Sequence, residues 1–488
     1  MSQSDQTPIL VGVGASSQRL DDPAEALEPV ALMVRALEAA GQDAGVPELL
    51  KQADSIRVPR GFWEYPNPAQ WIAERIHANS ARTVVSEIGV LQSTLLGQAA
   101  RDIAEGKAGI VLIAGGEAKY RALRAQITGA EAPLSSQPDV EADEVLRPSQ
   151  EILHPLEIER GAVMPVRQYA MVDNALRADE GLSLDSHRDE IARLWSAMGQ
   201  VAARNPDAWD PSAPSAEAIR NASAGNPMLA FPYTKFHNSQ WNVDQAAGLI
   251  LCSVGIARRA GIPEAKWIYP WANAESNYML TFSERAEPHR CPGFAIAGAR
   301  AFEIAGVEPS QIRHREIYSC FPSAVRVQLR EMGIDPTASL TETGGMRFAG
   351  GPLNNFVLQA TVRMAQILRE DPDELGLVTA VSGVLTKQGV MVLGNQAPRN
   401  DFRFEDVSLE VEKASRSVPL ENELHGPARV LAYTVTYLGE EPHQGILLCE
   451  NKEGKRTLAV CEDPERVAAM TREEFCHQDV EVAGHTLR

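Results

Sequence analysis

Residues 316–355 read E-I-Y-S-C-F-P-S-A-V-R-V-Q-L-R-E-M-G-I-D-P-T-A-S-L-T-E-T-G-G-M-R-F-A-G-G-P-L-N-N. Arg313 to Tyr318 is predicted as a strand, Ser319 as a cap, and Pro322 as the start of a helix. Val325, Leu329 and Met332 share one face of that helix until Gly333 stops it. The stretch T-G-G-M-R-F-A-G-G-P-L-N-N has the same strand-end-into-helix character. Such a turn displays a side chain at a helix N-terminus, where unpaired backbone N–H groups favour negative charge. Two of them close together predict a shared site able to hold an acyl group.

The chain around this stretch carries an internal echo. Ala36-Leu-Glu-Ala-Ala-Gly41 recurs as Ala301-Phe-Glu-Ile-Ala-Gly306, 265 residues later (301 − 36), and each copy is predicted to end a helix that leads to an apolar strand. The helix with Leu95, Ala99 and Ile103 on one face, then the strand Ile110 to Ala114, recurs as Phe356, Ala360, Met364 and Ile367, then Leu377 to Val381; Ala114 and Ala380 are 266 apart (380 − 114). Matching offsets predict a duplicated half, each copy a mixed sheet covered by helices with ligand sites at the carboxyl ends of its strands.

Between the halves the pattern becomes helical and loop-rich, with M-P-V-R-Q-Y-A-M-V-D-N-A-L-R as a helix opened by Pro165. Beyond Pro398, Phe402 to Val411, Ala428 to Leu438, Gln444 to Asn451 and Arg456 to Cys461 read as strands, with a helix at Pro464 to Cys476. The expected units are therefore 1–119, an inserted loop domain 120–235, the second half 236–399, and a small β-barrel of OB-like kind at 400–488, where closure hides strand edges.

At 488 residues, several structural units are expected rather than one core. A net charge of −19 repels phosphate backbones and anionic surfaces, so nucleic acid is not an expected partner. A phosphate-bearing small ligand stays open through local basic residues such as Arg121, Arg124, Arg258 and Arg259. Six cysteines without a C-x-x-C pair predict neither zinc nor a disulfide framework. The first residues lack a basic and apolar leader and no apolar run would span a bilayer, so no membrane insertion and a cytoplasmic location are expected.

Several segments resemble the thiolase superfamily over most of Pro8 to Gly394. I-A-E-G-K-A-G-I-V-L-I-A-G-G-E (Ile103 to Glu117) is similar to the thiolase helix and strand ending in A-G-G-x-E. N-S-Q-W-N-V-D-Q-A-A-G (Asn238 to Gly248) resembles N-A-S-G-I-N-D-G-A-A-A, Y-S-C-F resembles N-E-A-F or H-D-C-F, and T-G-G-M-R-F-A-G-G-P-L-N-N resembles the loop S-G-G-x-x-x-x-G-H-P-x-G-A. The four occur in the thiolase order, and with the added C-terminal domain the chain is most similar to thiolase-like proteins of type 1. The resemblance implies an α/β fold of two βαβ-type halves layered α/β/α/β/α, a loop domain insertion and a coenzyme A thioester bound at the junction. It implies no permanently bound cofactor; acyl-CoA is the substrate or ligand. Thiolases are dimers or tetramers, so a homodimer is open to this chain unless the added domain blocks that contact. It also implies a place in acyl transfer and lipid metabolism.

The departures bear on chemistry. The thiolase nucleophile, a cysteine at a helix N-terminus, falls between Gly89 and Leu91 in S-E-I-G-V-L-Q-S-T, where there is none. The activating histidine corresponds to Gly351, and the C-x-G thiol to the region Ser382 to Gly389, which has neither Cys nor His. Cys320 matches the acid/base cysteine of the H-D-C-F kind, Tyr318 replaces the residue that holds an oxyanion-hole water, and His237 is a third catalytic candidate. Asn238, Ser319, Gly350, Gly351, Pro352, Asn354 and Lys387 are the expected substrate-binding residues. Three readings follow: an acyltransferase-type enzyme with weak or absent thiolase activity, a carbon–carbon lyase on a β-hydroxyacyl-CoA, and a non-catalytic acyl-CoA binder.

Overall fold

The computed structural model describes residues 4–137 and 139–488; residues 1–3, on which part of the leader reading rests, lie outside them. Ile110–Ala118 is a strand buried along its whole length, as a strand covered on both faces must be. It pairs antiparallel with Asp244–Ser253 and parallel with Ser55–Pro59, in a six-stranded sheet whose edges are Pro8–Gln18 and Glu144–Leu146. The second sheet repeats this core. His314–Glu316, Leu375–Ser382, Lys387–Gly394 and Tyr269–Ser276 lie side by side, with Phe404–Asp406 added parallel to Tyr269–Ser276.

Helices Gln92–Ala104 and Phe356–Glu370 lie between the two sheets, touching both, while Pro29–Ala44 covers the outer face of the first and Pro292–Ala305 that of the second. The result is the expected five layers, α/β/α/β/α. Close approach fixes some residue types: a Cβ on Gly14 would stand 2.2 Å from the carbonyl oxygen of Ala36, so the helix rests backbone-to-backbone on the strand.

The internal echo needs a shift. The first helix runs on past Gly41 to Ala44 and is ended by Gly45 in the left-handed region (φ 76°), whereas its counterpart ends at Gly306 (φ 68°). The structural offset at this helix is therefore 261 (306 − 45), four residues short of the sequence echo, about one helical turn. An Ala-rich helix matches itself nearly as well one turn out of register, and that misplaced Gly41.

The C-terminal barrel closes through one long strand. Leu424–Leu438 pairs with Asp479–Gly484 through its first half and with Glu441–Glu450 through its second, and Arg456–Cys461 and Thr486–Leu487 complete the ring. Leu447, Cys449, Ala459 and Cys461 fill its interior. Phe402 to Val411 is not part of it: Phe404–Asp406 belongs to the second sheet and Ser408–Ala414 is a helix. The final helix is shorter than expected, Pro464–Ala469, and it is followed by the strands Asp479–Gly484 and Thr486–Leu487, of six and two residues, which the sequence reading did not include.

The barrel is tied into the rest of the chain. Asn174 Nδ2 donates to the carbonyls of Phe231 and Tyr433 at 3.2 and 3.0 Å, and the Arg177 guanidinium pairs with Glu474. Both donors lie on the helix Pro165–Asp179, whose other side faces the helix Pro322–Met332. Arg456, buried at the opposite seam, donates to the carbonyl of Arg285 at 2.6 Å and pairs with Glu450 at 2.6 Å.

Three of the four edges of these two sheets, Glu144–Leu146, His314–Glu316 and Phe404–Asp406, have three residues each, and the eleven-residue edge Pro8–Gln18 is already bonded at Leu10 to Ile268, which limits the ladder another copy could extend. The outer strand Arg82–Ser86 is itself covered by Glu144–Leu146. Light scattering of the purified chain is expected to give a single-chain mass at micromolar concentration; a stable dimer mass would show that another surface pairs.

Candidate active site

The two turns quoted first are brought together by a third segment. Ser239 N donates to the carbonyl of Cys320 at 3.2 Å, Gln240 N to the carbonyl of Met346 at 3.0 Å, and Gly351 N to the carbonyl of Gln240 at 2.8 Å. Ser319 is no helix cap, since Phe321 holds that place; its hydroxyl accepts from Met346 N at 3.0 Å and so pins one turn to the other. The buried carboxyl of Glu316 accepts from Thr343 N at 2.8 Å and Thr341 Oγ1 at 2.8 Å, which fixes the loop leading into Gly344–Gly345.

Gly350 is required twice over. Its φ is 102°, and a Cβ there would stand 2.0 Å from Gln245 Oε1, whose amide nitrogen donates to the Ala349 carbonyl at 2.9 Å. Gly350→Ala is expected to lower stability by about 1–3 kcal/mol, read as a shift of the urea midpoint at unchanged slope. Gly351 next to it leaves only 3.2 Å to Ser239 Cβ, Pro352 is buried, and Asn354 Nδ2 donates to the carbonyl of Arg60.

Tyr318 stands at this junction with its backbone N–H bonded to Thr379 Oγ1 at 2.8 Å and its ring edge-on to Phe356, centroids 5.9 Å apart. It is 9% exposed, and its hydroxyl has no hydrogen-bond partner among the described residues. Burial, with Cys320 beside it, pushes its pKa well up, so the hydroxyl stays protonated. Cys320 is 8% exposed, and burial pushes its thiol up to about 12. Both groups are therefore proton donors at neutral pH.

Tyr169, from the inserted domain, completes the site and was not anticipated. Its hydroxyl donates to the Gly383 carbonyl at 3.1 Å and accepts from Leu385 N at 3.3 Å, and it also interacts with the Cys320 thiol. Its ring stacks on Phe321 at 4.6 Å. The one sequence signal was a helix with too many polar residues on its buried side: Gln168, Asp173, Asn174 and Arg177 are all buried.

The other candidates fall elsewhere. His237 is 1% exposed, its Nδ1 bonded to Thr234 and its ring beside Tyr233 and Trp195; burial lowers its pKa to about 3. A neutral imidazole closed off from solvent between Trp195 and Tyr233 favours a packing role for His237 over the catalytic one expected. Asn238 is half-buried, with its N–H on the Lys235 carbonyl at 3.2 Å. Lys387, 1% exposed, neither reaches solvent nor faces the junction: its ammonium donates to the carbonyl of Gly89 at 2.8 Å and holds the turn where the nucleophile would stand. The basic residues do not form one cluster either. Arg121 is buried on the carbonyls of Pro23, Ala132 and Pro133, while Arg124 sits by Asp21 and Arg258 by Asp5.

Under the N-terminus of helix Gln92–Ala104 lies Glu275, its carboxyl accepting from Thr94 Oγ1 at 2.9 Å and Asn277 Nδ2 at 3.0 Å; burial pushes its pKa up to about 7. The folded chain then keeps a proton that the unfolded chain releases between about pH 4.5 and 7, so this group lowers stability as pH rises through that window. Glu275→Gln is expected to be more stable than the parent at pH 8, on the order of 1–3 kcal/mol, and indistinguishable at pH 4.5, by denaturant midpoint.

Comparison with known proteins agrees with this architecture. Residues 406–485 match the family described as the additional C-terminal domain of thiolase-like protein type 1. An acetyl-CoA acetyltransferase of Methanocaldococcus jannaschii is 25% identical over 306 residues, 62% of this chain and 69% of that relative. The crystal structure of a monomeric SCP2-thiolase-like protein type 1 from Mycobacterium smegmatis superposes with a TM-score of 0.85 at 25% identity, covering 100% of both chains. An Ltp2–ChsH2(DUF35) aldolase superposes at 0.61 with 18% identity, over 80% of this chain and 98% of the other. The chain accordingly has the thiolase fold and is similar along its whole length to a thiolase-like protein of type 1, whose additional C-terminal domain residues 406–485 match.

Proposed function

We propose that the chain binds acyl-CoA thioesters at the junction of the Tyr318 and Gly350–Gly351 turns and acts on them without a covalent acyl-enzyme. The observation that carries this reading is the Tyr318 hydroxyl, protonated and without a partner among the described residues, beside the Cys320 thiol at a junction with no cysteine at 89–91 and no histidine at 351. Donors of this kind stabilise charge that develops on a thioester oxygen. The acetyltransferase relatives support the acyl-CoA class. Loss of an activated nucleophile typically costs several orders of magnitude, so condensation through an acyl-enzyme should be weak or absent.

A second reading, carbon–carbon lyase on a β-hydroxyacyl-CoA, is favoured by the same tyrosine. Retro-aldol cleavage breaks the Cα–Cβ bond as the β-hydroxyl passes its proton to a water molecule acting as base; the bond pair becomes a thioester enolate whose oxygen a neutral hydroxyl can stabilise and whose Cα takes a proton back from water, giving an aldehyde or ketone and the shortened thioester. The likeness to an aldolase supports it at the level of fold.

Incubating the full chain with acetyl-CoA, acetoacetyl-CoA and a β-hydroxyacyl-CoA separates the readings. Saturable thioester binding is expected in every case. Aldehyde or ketone release from the β-hydroxyacyl thioester assigns the lyase, and binding without turnover assigns a binder. Rapid thiolysis of acetoacetyl-CoA would overturn the proposal.

A further inference from the structure

Residues 147–153 run as a strap between the edge strand Glu144–Leu146 and the helix Pro155–Glu159. Both of its ends are fixed. Glu87 N donates to the Leu146 carbonyl at 2.8 Å, and the buried carboxyl of Glu157 accepts from His154 N at 3.0 Å and from Ser283 Oγ at 2.7 Å. Between them, Pro148 and Ile152 are half-buried on two glycines. A Cβ built on Gly89 would stand 3.0 Å from Pro148 Cγ and 3.4 Å from Ile152 Cδ1, and one on Gly383 would stand 3.1 Å from Ile152 Cγ2. The Ile152 side chain therefore fills the gap between these two turns and separates them from solvent.

Both turns border the thioester junction. Gln92, which opens the helix after the Gly89 turn, donates through Nε2 to the Leu353 carbonyl at 3.4 Å and accepts through Oε1 from Val357 N at 2.8 Å, so this turn is joined to the end of the G-G-P loop. The Gly383 carbonyl accepts from Tyr169 Oη at 3.1 Å, beside Cys320. The Gly89 turn is where the thiolase resemblance places the nucleophile, and Ser382 to Gly389 is where it places the second thiol; neither is present, and an aliphatic side chain lies against both places instead. A wall of this kind excludes water and offers a ligand only apolar contact.

We propose that Pro148 and Ile152 form the outer wall of the acyl pocket and that Ile152 is the specificity-determining residue that limits acyl length there. The inference rests on the thioester reading above for the identity of the ligand; the wall itself does not. Shortening Ile152 to alanine removes Cγ2 and Cδ1, the atoms that meet the two turns, and opens a slot from the junction toward solvent. An acetyl group gains nothing from that slot, whereas a longer chain buries methylene groups in it.

The test compares the full-length parent with Ile152→Ala by two readouts. Calorimetry with acetyl-CoA and octanoyl-CoA is expected to show octanoyl affinity rising about ten-fold or more in the variant, as two further methylene groups leaving water would give, with acetyl affinity within about two-fold. Alkylation by N-ethylmaleimide, mapped by peptide mass spectrometry, is expected to be about five-fold or more faster at Cys320 in the variant, with the other buried cysteines unchanged as internal controls of folding. Ile158→Ala, at an exposed position on the next helix, should alter neither readout. An unchanged ratio of octanoyl to acetyl affinity, or unchanged alkylation of Cys320, would overturn the inference. Faster alkylation of Cys320 in a protein that binds neither thioester would overturn the thioester reading instead and leave the wall standing.

Discussion

Tyr318→Phe is expected to lower turnover of a β-hydroxyacyl-CoA by about 100-fold or more while leaving affinity for the thioester within about three-fold. The change deletes one oxygen. The ring keeps its edge-on contact with Phe356 and the backbone keeps its bond to Thr379, so folding should be untouched. What disappears is a proton donor with no partner among the described residues. Stopped-flow or product assays at saturating substrate give the turnover, and calorimetry gives the affinity. A mutant as active as the parent would remove Tyr318 from the chemistry, and a mutant that loses affinity and turnover together would make it a binding residue only.

Arg326→Met should destabilise the chain by about 3–5 kcal/mol, the largest stability loss expected of a single exchange here. Asp173 is fully buried on the helix Pro165–Asp179. Burial alone would raise its pKa, but His187 at 3.5 Å, Arg326 at 2.7 Å and the Tyr233 hydroxyl at 2.7 Å hold it ionised and well below the usual carboxylate range. Stability from this group is present above about pH 4 and is lost as pH falls below it. Methionine keeps most of the volume and removes the charge, which leaves a buried carboxylate short of its partner. Urea unfolding at pH 7 checks the magnitude, and the acid limb should move to higher pH in the mutant. A loss under about 1 kcal/mol would mean that His187 and Tyr233 suffice.

The doubled fold was legible because strands such as the one from Ile110 to Ala114 are continuous apolar runs, and because the Pro322–Met332 helix carries both its start and its stop at Gly333 in residue types. The turn around Tyr318 and the G-G-P loop were legible as a pair because they lie close in sequence. Their physical connection was not. It runs through Ser239 and Gln240, 81 residues before Cys320 (320 − 239) and 111 before Gly351 (351 − 240), by backbone hydrogen bonds that side-chain patterns do not record. Tyr169 was missed for a related reason. It reaches the site from an inserted helix, and only burial reveals that the polar side of that helix faces inward. His237 and Lys387 were misplaced because residue type shows that a group can act, whereas burial and an existing partner decide whether it is free to. In the barrel, Phe404–Asp406 was assigned to the wrong sheet, since a three-residue strand has too little pattern to reveal its neighbour.

The most direct measurement is a crystal structure of the full chain with an acyl-CoA bound. The account predicts the thioester carbonyl oxygen within hydrogen-bond distance of Tyr318 Oη, its sulfur between the 318–320 and 350–351 turns, and no covalent bond to the protein. An acyl group attached to any side chain, or a thioester seated away from that junction, would contradict it.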